Sequence, residues 1–226
     1  MNSSETNQIY ARTARQYDRL LGMMSLGSIG WQRRRQAARL PVRPGAVVID
    51  LGCGTGGMSL CLQDRFGDSG RVIAIDPCRE MLNEAQRRGV REVLVGDLSA
   101  IPVEDQSADA LICAYAIRYA EDLDAALNEI HRVLRPGAPV RFMEMTVPRN
   151  PLARAVATVF VRGIAPNVMS ILCWNRDIGG LVKHFWAAIS SFGGPKVLAE
   201  RLDAAGFKEI TVHGPYGMVM ELYARA

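Results

Sequence analysis

The stretch AVVIDLGCGTGG at residues 46–57 constrains this chain more than any other. An apolar, β-branched run ends at Asp50-Leu51 and passes into Gly52, Gly54, Gly56 and Gly57. Residues 46–51 read as a strand buried on both faces, and 57–66 as a helix. A strand buried on both faces needs helices over both, which points to a parallel sheet of βαβ units. The pattern repeats downstream. Strands at 71–76 (RVIAID), 92–96 (EVLVG), 108–114 (ADALICA) and 139–145 (PVRFMEM) alternate with helices at 77–88 and 123–134. Arg135-Pro136-Gly137 closes the second of these helices. A helix at 195–205, stopped by Gly206, leads to strands at 207–213 and 217–224 around Gly214-Pro215. The expected fold is α/β: a doubly wound, seven-stranded, mostly parallel sheet with an antiparallel C-terminal edge hairpin.

Two helices, at 8–21 and 30–40, precede the sheet and end at Pro41 and Pro44-Gly45. Between the fifth strand and the last helix the regularity breaks. Residues 148–192 read as helical pieces interrupted by Pro151, Pro166 and Gly179-Gly180. In open α/β sheets ligands sit beyond the carboxyl ends of the strands, where this insertion falls. It therefore reads as a helical lid. Met23, Met24, Phe160, Met169, Trp174, Phe185 and Trp186 are expected to give it an adaptable apolar lining.

Composition removes several classes. At 226 residues the prior is one domain, or one with an appendage. The 27 Lys and Arg against 23 Asp and Glu leave a net charge of +4, too even for a nucleic-acid partner. The Arg33-Arg34-Arg35 cluster, with Arg39 and Arg43 nearby, reads as the solvated face of an N-terminal helix. Five cysteines, an odd number with no C-x-x-C pair, argue for reduced thiols in a cytoplasmic protein. No His/Asp/Glu cluster has metal-ligand spacing, so no metal is expected. The opening MNSSET has neither a basic nor an apolar segment, so no signal peptide is read there. The apolar stretch 155–161 meets Arg162, far short of the ~18–20 residues of a membrane span. Peripheral membrane contact and homodimerisation both stay open.

The glycine loop formally contains G-x-G-x-x-G (Gly52, Gly54, Gly57), which raises a dinucleotide site. Asp50 argues against it, because a carboxylate aimed into the pocket repels pyrophosphate and favours a cation. Asp76, ending the second strand, is placed to accept the two ribose hydroxyls of an adenosine. Asp97, after the third strand, is placed for the exocyclic amine of adenine. Each Asp alone reads as a helix or turn cap. Three at the ends of adjacent strands suit S-adenosylmethionine.

The segments VIDLGCGTGG, IAIDPCREML, GDLSAIPVEDQSADALICAYAIRY and LNEIHRVLRPGA resemble the motifs of class I S-adenosylmethionine-dependent methyltransferases. The wider pattern is similar to the ubiquinone/menaquinone biosynthesis C-methyltransferase family. Tyr17-Asp18 and Met24-Ser25-Leu26-Gly27 lie where that family has YD…MSFG, and Ala116-Ile117-Arg118 where it has Gly-Leu-Arg. Phe142-Met143-Glu144-Met145…Pro148 and Leu202…Ala205-Gly206-Phe207 match its fifth strand and late AGF. The resemblance, over residues 10–224, implies a Rossmann-like fold. The alternation along the chain divides it into an N-terminal helical cap (1–44), a cofactor-binding core (45–147), a substrate lid (148–192) and the C-terminal part of the sheet (193–226). The cofactor-binding set expected is Tyr17, Asp50, Gly52, Gly54, Thr55, Asp76, Pro77, Asp97, Leu98 and Ala114. Three positions depart from the family pattern: Leu21 and Tyr119 stand for Asn, and His184 for a lid Tyr.

Methyl transfer to a phenol or hydroquinone carbon gains from a base, or from a cation facing the developing oxyanion. The catalytic candidates are His184, which titrates near neutrality, Arg118 after the fourth strand, and Tyr115. Tyr115, Tyr119 and Glu144 are read as loop residues above the sheet, the tyrosines as pocket walls. His131 and His213 read as structural. The expected activity is methylation of a small apolar, aromatic or quinol-like acceptor, on carbon first. Oxygen or nitrogen methylation of a natural product, and a cofactor-retaining protein that transfers no methyl, are the alternatives.

Overall fold

The computed structural model describes residues 3–216 and 218–226; Met1, Asn2 and Gly217, the last read as opening the final strand, lie outside them. Helices α1 (Ser3–Met24) and α2 (Ile29–Arg39) come first. Then β1 (Val47–Leu51), α3 (Gly57–Phe66), β2 (Arg71–Asp76), α4 (Arg79–Arg87), β3 (Val93–Val95) and β4 (Ala110–Ala114) alternate. A 3-10 turn at Ile117–Tyr119 leads to α5 (Leu123–Val133) and β5 (Pro139–Met145). Helices α6 (Pro151–Val159), α7 (Ala165–Cys173), α8 (Asp177–Ser191) and α9 (Gly194–Ala204) precede β6 (Lys208–Tyr216) and β7 (Val219–Arg225).

Among the described residues seven strands form one sheet in the order β3-β2-β1-β4-β5-β7-β6. Strands β1 to β5 are parallel; β7 runs antiparallel to both β5 and β6. Alternation along each strand sorts the core into two layers. Ile49, Leu51, Ile73, Leu111, Val140 and Phe142 share a cluster with Leu127 and Ile130 of α5 and Leu198 and Leu202 of α9. Val48, Val72, Ala110, Ile112 and Met143 face the other way, onto Ala37 of α2 and Met58, Leu62 and Phe66 of α3. Each Leu or Ile so buried stabilises the fold by about 1.5–3 kcal/mol. The sequence also sets the helix ends: Asp122 caps α5 by accepting from the Asp124 and Ala125 amides.

The expected doubly wound sheet with its edge hairpin is the one observed. The hairpin differs in detail. Gly214 and Pro215 lie inside β6, and the positive φ of Gly214 (104°) falls at a register shift between His213 and Tyr216. A bulge absorbs what the sequence reads as a turn.

The larger correction concerns residues 148–192. Pro151 opens α6 behind an Asn150 cap, and a π turn at Phe160–Ile164 joins α6 to α7 in one helix, Pro151–Cys173. The wider hydrogen-bond ring lets the helix pass Pro166, which lacks an N–H, without breaking. Gly179 and Gly180 lie within α8. A Cβ at Gly179 would stand 2.8 Å from Ser170 Oγ and 3.1 Å from the Pro166 carbonyl, so this glycine serves close helix packing. The helix runs through Arg162; its 23 residues reach membrane-spanning length, and an 18-residue window within it has a mean hydropathy of 1.6. The helix is thus longer than the apolar stretch 155–161 read from the sequence. The expected apolar lid lining is not found either. Phe160 and Trp174 face solvent, Trp174 at 90% exposure, while Phe185 and Trp186 are buried.

Candidate active site

Strands β1 and β4 are neighbours whose outgoing connections diverge, which opens a crevice at their carboxyl ends. A cavity of about 760 Å³ lies there. The β1 loop contributes Gly52, Cys53 and Gly54; the β2 end contributes Asp76, Pro77 and Cys78; Asp97 and Leu98 follow β3. Ala114 to Ala116 close it from β4, and α1, α2 and α8 supply Tyr10, Tyr17, Arg33, Lys183 and His184. Eight of the ten expected cofactor residues thus converge on one cavity: Tyr17, Gly52, Gly54, Asp76, Pro77, Asp97, Leu98 and Ala114.

Gly52 is required where it stands. Its φ is +71°, and a Cβ there would lie 2.2 Å from Ala116 Cβ, so any side chain would push the loop off the β4 connection. Asp76 is buried and holds the loop: its Oδ2 accepts from the Gly54 amide (2.8 Å) and its Oδ1 from the Cys78 amide (2.9 Å). Burial pushes its carboxyl up to about 6, against the pull of those two amides. Asp97 Oδ1 accepts from the amide and hydroxyl of Ser99 at 3.1 and 2.9 Å.

Asp50 and Thr55 do not line the cavity. Asp50 pairs with Ala74 and Ile112 within β1, so its side chain points to the sheet face that α3 covers. There the Ser59 hydroxyl donates to it at 2.5 Å, Oδ1 has no partner among the described residues, and burial pushes the carboxyl up to about 6. Thr55 is buried against α4. Its carbonyl and Oγ1 accept from Arg88 at 2.8 and 3.1 Å, and Arg88 also pairs with Asp18 of α1 at 2.5 Å. Thr55 thus tethers the loop to α1.

Arg33 is the residue the sequence reading misplaced. Its side chain is 13% exposed, lies 3.8 Å from Asp18 and borders the cavity. The signal was present, because Arg33 shares the i, i+3, i+4, i+7 stripe with buried Gln36, Ala37 and Leu40. Arg35 also leaves the solvated face, donating to Glu221 at 2.8 Å. Tyr10, likewise unforeseen, donates its hydroxyl to that of Tyr119 at 2.9 Å.

All three catalytic candidates reach the cavity. Tyr115 adopts a left-handed conformation (φ 62°) and its hydroxyl donates to Gln32 Oε1 of α2 at 2.7 Å. Arg118 is buried and ion-paired with Glu144, and its Nη2 lies 3.3 Å from the Tyr119 hydroxyl. Glu144 is no loop residue. It belongs to β5 and is fully buried, because the register with β7 turns it beneath the 3-10 turn. His184 stacks on Tyr119 with ring centroids 5.3 Å apart, and its buried Nε2 has no partner among the described residues. Burial, followed by the Arg118 guanidinium, holds its imidazole below the usual 6.5.

The sequence model of the ubiE/COQ5 methyltransferase family matches residues 1–221. The chain belongs to that family. It is 30% identical over 92% of its length to a demethylmenaquinone methyltransferase of Lactobacillus johnsonii, covering 86% of that protein. A Staphylococcus aureus demethylmenaquinone methyltransferase is 25% identical, over 98% of this chain and 92% of that one. The fold is shared with a solved Thermotoga maritima structure described as an S-adenosylmethionine-dependent methyltransferase, possibly a histamine N-methyltransferase. The TM-score is 0.70 at 18% identity, covering 96% of this chain and 98% of the other. This enzyme is an S-adenosylmethionine-dependent methyltransferase.

The cavity's donors and acceptors suit that cofactor. Each Asp76 oxygen holds one backbone amide and retains lone-pair capacity for a ribose hydroxyl. Arg33 brings a cation to the same cavity, fit for an amino-acid carboxylate.

A pH dependence follows for the methyltransferase. Asp50 and Asp76 have carboxyls pushed up to about 6 from a usual 3.8, so the folded state binds their protons more tightly than the unfolded chain. Their contribution to stability is complete below about 3.8 and is lost as the pH rises through about 6. Glu92 and Glu129, held low by hydrogen bonds from Arg71 and Arg132, act the other way only at lower pH, whereas His184, held below its usual 6.5, offsets part of the gain within the window. The ligand-free enzyme should therefore gain on the order of 1–3 kcal/mol between about pH 7 and pH 5. Denaturant titrations across that window check it; a flat or falling profile would count against two buried carboxylates. Affinity for the cofactor should fall over the same interval as Asp76 takes up its proton.

Proposed function

We propose that this methyltransferase transfers its methyl group to a ring carbon of a small apolar, quinol-like aromatic acceptor. The observation that carries this reading is His184. Its Nε2 is buried with no partner among the described residues, its ring stacks on Tyr119, and the residue lines a cavity that Arg118 also borders. The two stacked residues, Tyr119 and His184, are also two of the three that depart from the family pattern, so the acceptor end is where this chain differs. The relatives named demethylmenaquinone methyltransferase support a quinone-like ring.

We assign the cofactor to Asp76, Asp97, Leu98, Ala114, Gly52, Gly54, Tyr17 and Pro77, with Arg33 added and with Asp50 and Thr55 shaping the loop from behind. Bound there, S-adenosylmethionine supplies an electrophilic methyl group on a sulfonium. Asp76 would hold the ribose and Asp97 the adenine amine, which would present the methyl to the acceptor end. His184 Nε2 accepts the acceptor's hydroxyl proton. Its lowered pKa keeps it in the neutral, accepting form at pH 7. Loss of that proton raises electron density on the ring carbon; once methylated, that carbon gives up its own hydrogen as a proton, which restores the aromatic ring. Arg118, held by Glu144, places a positive charge near the resulting oxyanion. Tyr115, with its hydroxyl committed to Gln32, serves as a wall.

Labelled S-adenosylmethionine incubated with a panel of phenols and quinols, with products read by mass spectrometry, tests the reading. A ring-methylated product supports it; label on oxygen, on nitrogen or nowhere overturns it. His184→Ala should lower kcat about 10²-fold while cofactor affinity stays unchanged. An undiminished rate would remove His184 from the mechanism.

A further inference from the structure

The helix from Pro151 to Cys173 leaves its apolar side chains in water. Leu152, Val156, Val159, Ile164 and Ile171 are each more than half exposed, and no residue of Pro151–Val159 is buried. The π turn keeps these side chains together. In a regular α-helix each i+4 step drifts about 40° around the axis, so residues 156, 160, 164 and 168 would wind away from one face. The extra residue of the turn at Phe160–Ile164 takes most of that drift back. Trp174, the most exposed aromatic on this segment at 90%, closes the helix in a left-handed conformation.

Charge selects the occupant. Between Glu144 and Asp177 the sequence holds Arg149, Arg154, Arg162 and Arg176 and no acidic residue. All four arginines are exposed. A second copy seated on this face would set like charges against each other, whereas an anionic surface neutralises them. The helix is also fixed to the body through buried Ala165, Pro166 and Cys173, and Gly179 of α8 sits against Pro166. Crossing a bilayer would strip those contacts; lying along its surface keeps them.

We infer that this helix docks the enzyme on an anionic lipid surface, parallel to the membrane, with its apolar stripe in the acyl boundary and its arginines among the headgroups. The inference rests on the surface alone and holds whichever acceptor the cavity takes. Docking would set α8, whose Lys183 and His184 border the cavity, one layer from the lipid.

Sedimentation of the full chain with phosphatidylcholine vesicles, and with the same vesicles carrying phosphatidylglycerol, tests it. Binding should require the anionic lipid, weaken with added salt, and shift tryptophan emission to the blue in the native chain but not in Trp174→Phe. The double change Val156→Glu with Ile171→Glu should lower vesicle affinity by at least about tenfold. Arg154→Glu and Arg162→Glu should each cost about fivefold. All four sites are exposed, so the thermal midpoint should not move. Vesicle binding equal in native and variant chains overturns the inference. So does a native dimer, seen by analytical ultracentrifugation without lipid, that Val156→Glu with Ile171→Glu dissolves.

Discussion

Asp76→Ala should all but eliminate binding of S-adenosylmethionine, a loss of roughly 10²–10³-fold or more by calorimetry. Two effects combine. The substitution removes acceptors for the ribose hydroxyls, each charge-assisted hydrogen bond contributing about 1.5–3 kcal/mol. It also releases the Gly54 and Cys78 amides that Asp76 holds at 2.8 and 2.9 Å, so the glycine loop loses its brace. Asp76→Asn retains one oxygen acceptor and should fall between the two. Unchanged affinity in the alanine variant would refute the ribose assignment.

Glu144→Ala should be the most destabilising single change in the sheet. Glu144 is fully buried and its partner Arg118 only 3% exposed, so the substitution strands a guanidinium away from water. Breaking a buried pair from one side costs about 3–5 kcal/mol, a large part of the about 5–15 kcal/mol that holds a typical domain. For a chain of this size the thermal midpoint should fall by roughly 10 °C. The double variant Arg118→Met with Glu144→Leu should recover most of that loss, because two apolar side chains replace two charges. Calorimetric melts of the single and double variants decide it. If the double variant loses as much as the two singles added together, the pair is not the source of the effect.

The sheet was legible because strands buried on both faces must be written as apolar runs, and RVIAID or ADALICA admits few other readings. The loop was legible because few sequences other than glycines tolerate that backbone. Asp76 and Asp97 were placed by the same logic, one residue type at the end of each strand. Asp50 failed it: position along a strand does not say which face a side chain takes until the pairing register is known. Arg33 was misread from its arginine neighbours, although its spacing to Gln36, Ala37 and Leu40 puts it on the buried side. The Arg118–Glu144 pair joins residues 26 apart through the placement of β4 beside β5, which no local pattern encodes. The unbroken helix at Pro151–Cys173 was hidden by Pro166, a residue that ends helices unless the turn before it is widened.

The strand order has a consequence for biosynthesis. β7 is made after β6 yet sits inside it, bonded to β5 on one side and β6 on the other. Until residues 219–225 leave the ribosome, the outer rim of β5 therefore presents free amides and carbonyls to the cell, and β6 has nothing to join. A nascent chain stalled before that point carries an adhesive border that the finished enzyme hides, and this is the stage at which a chaperone has most to protect.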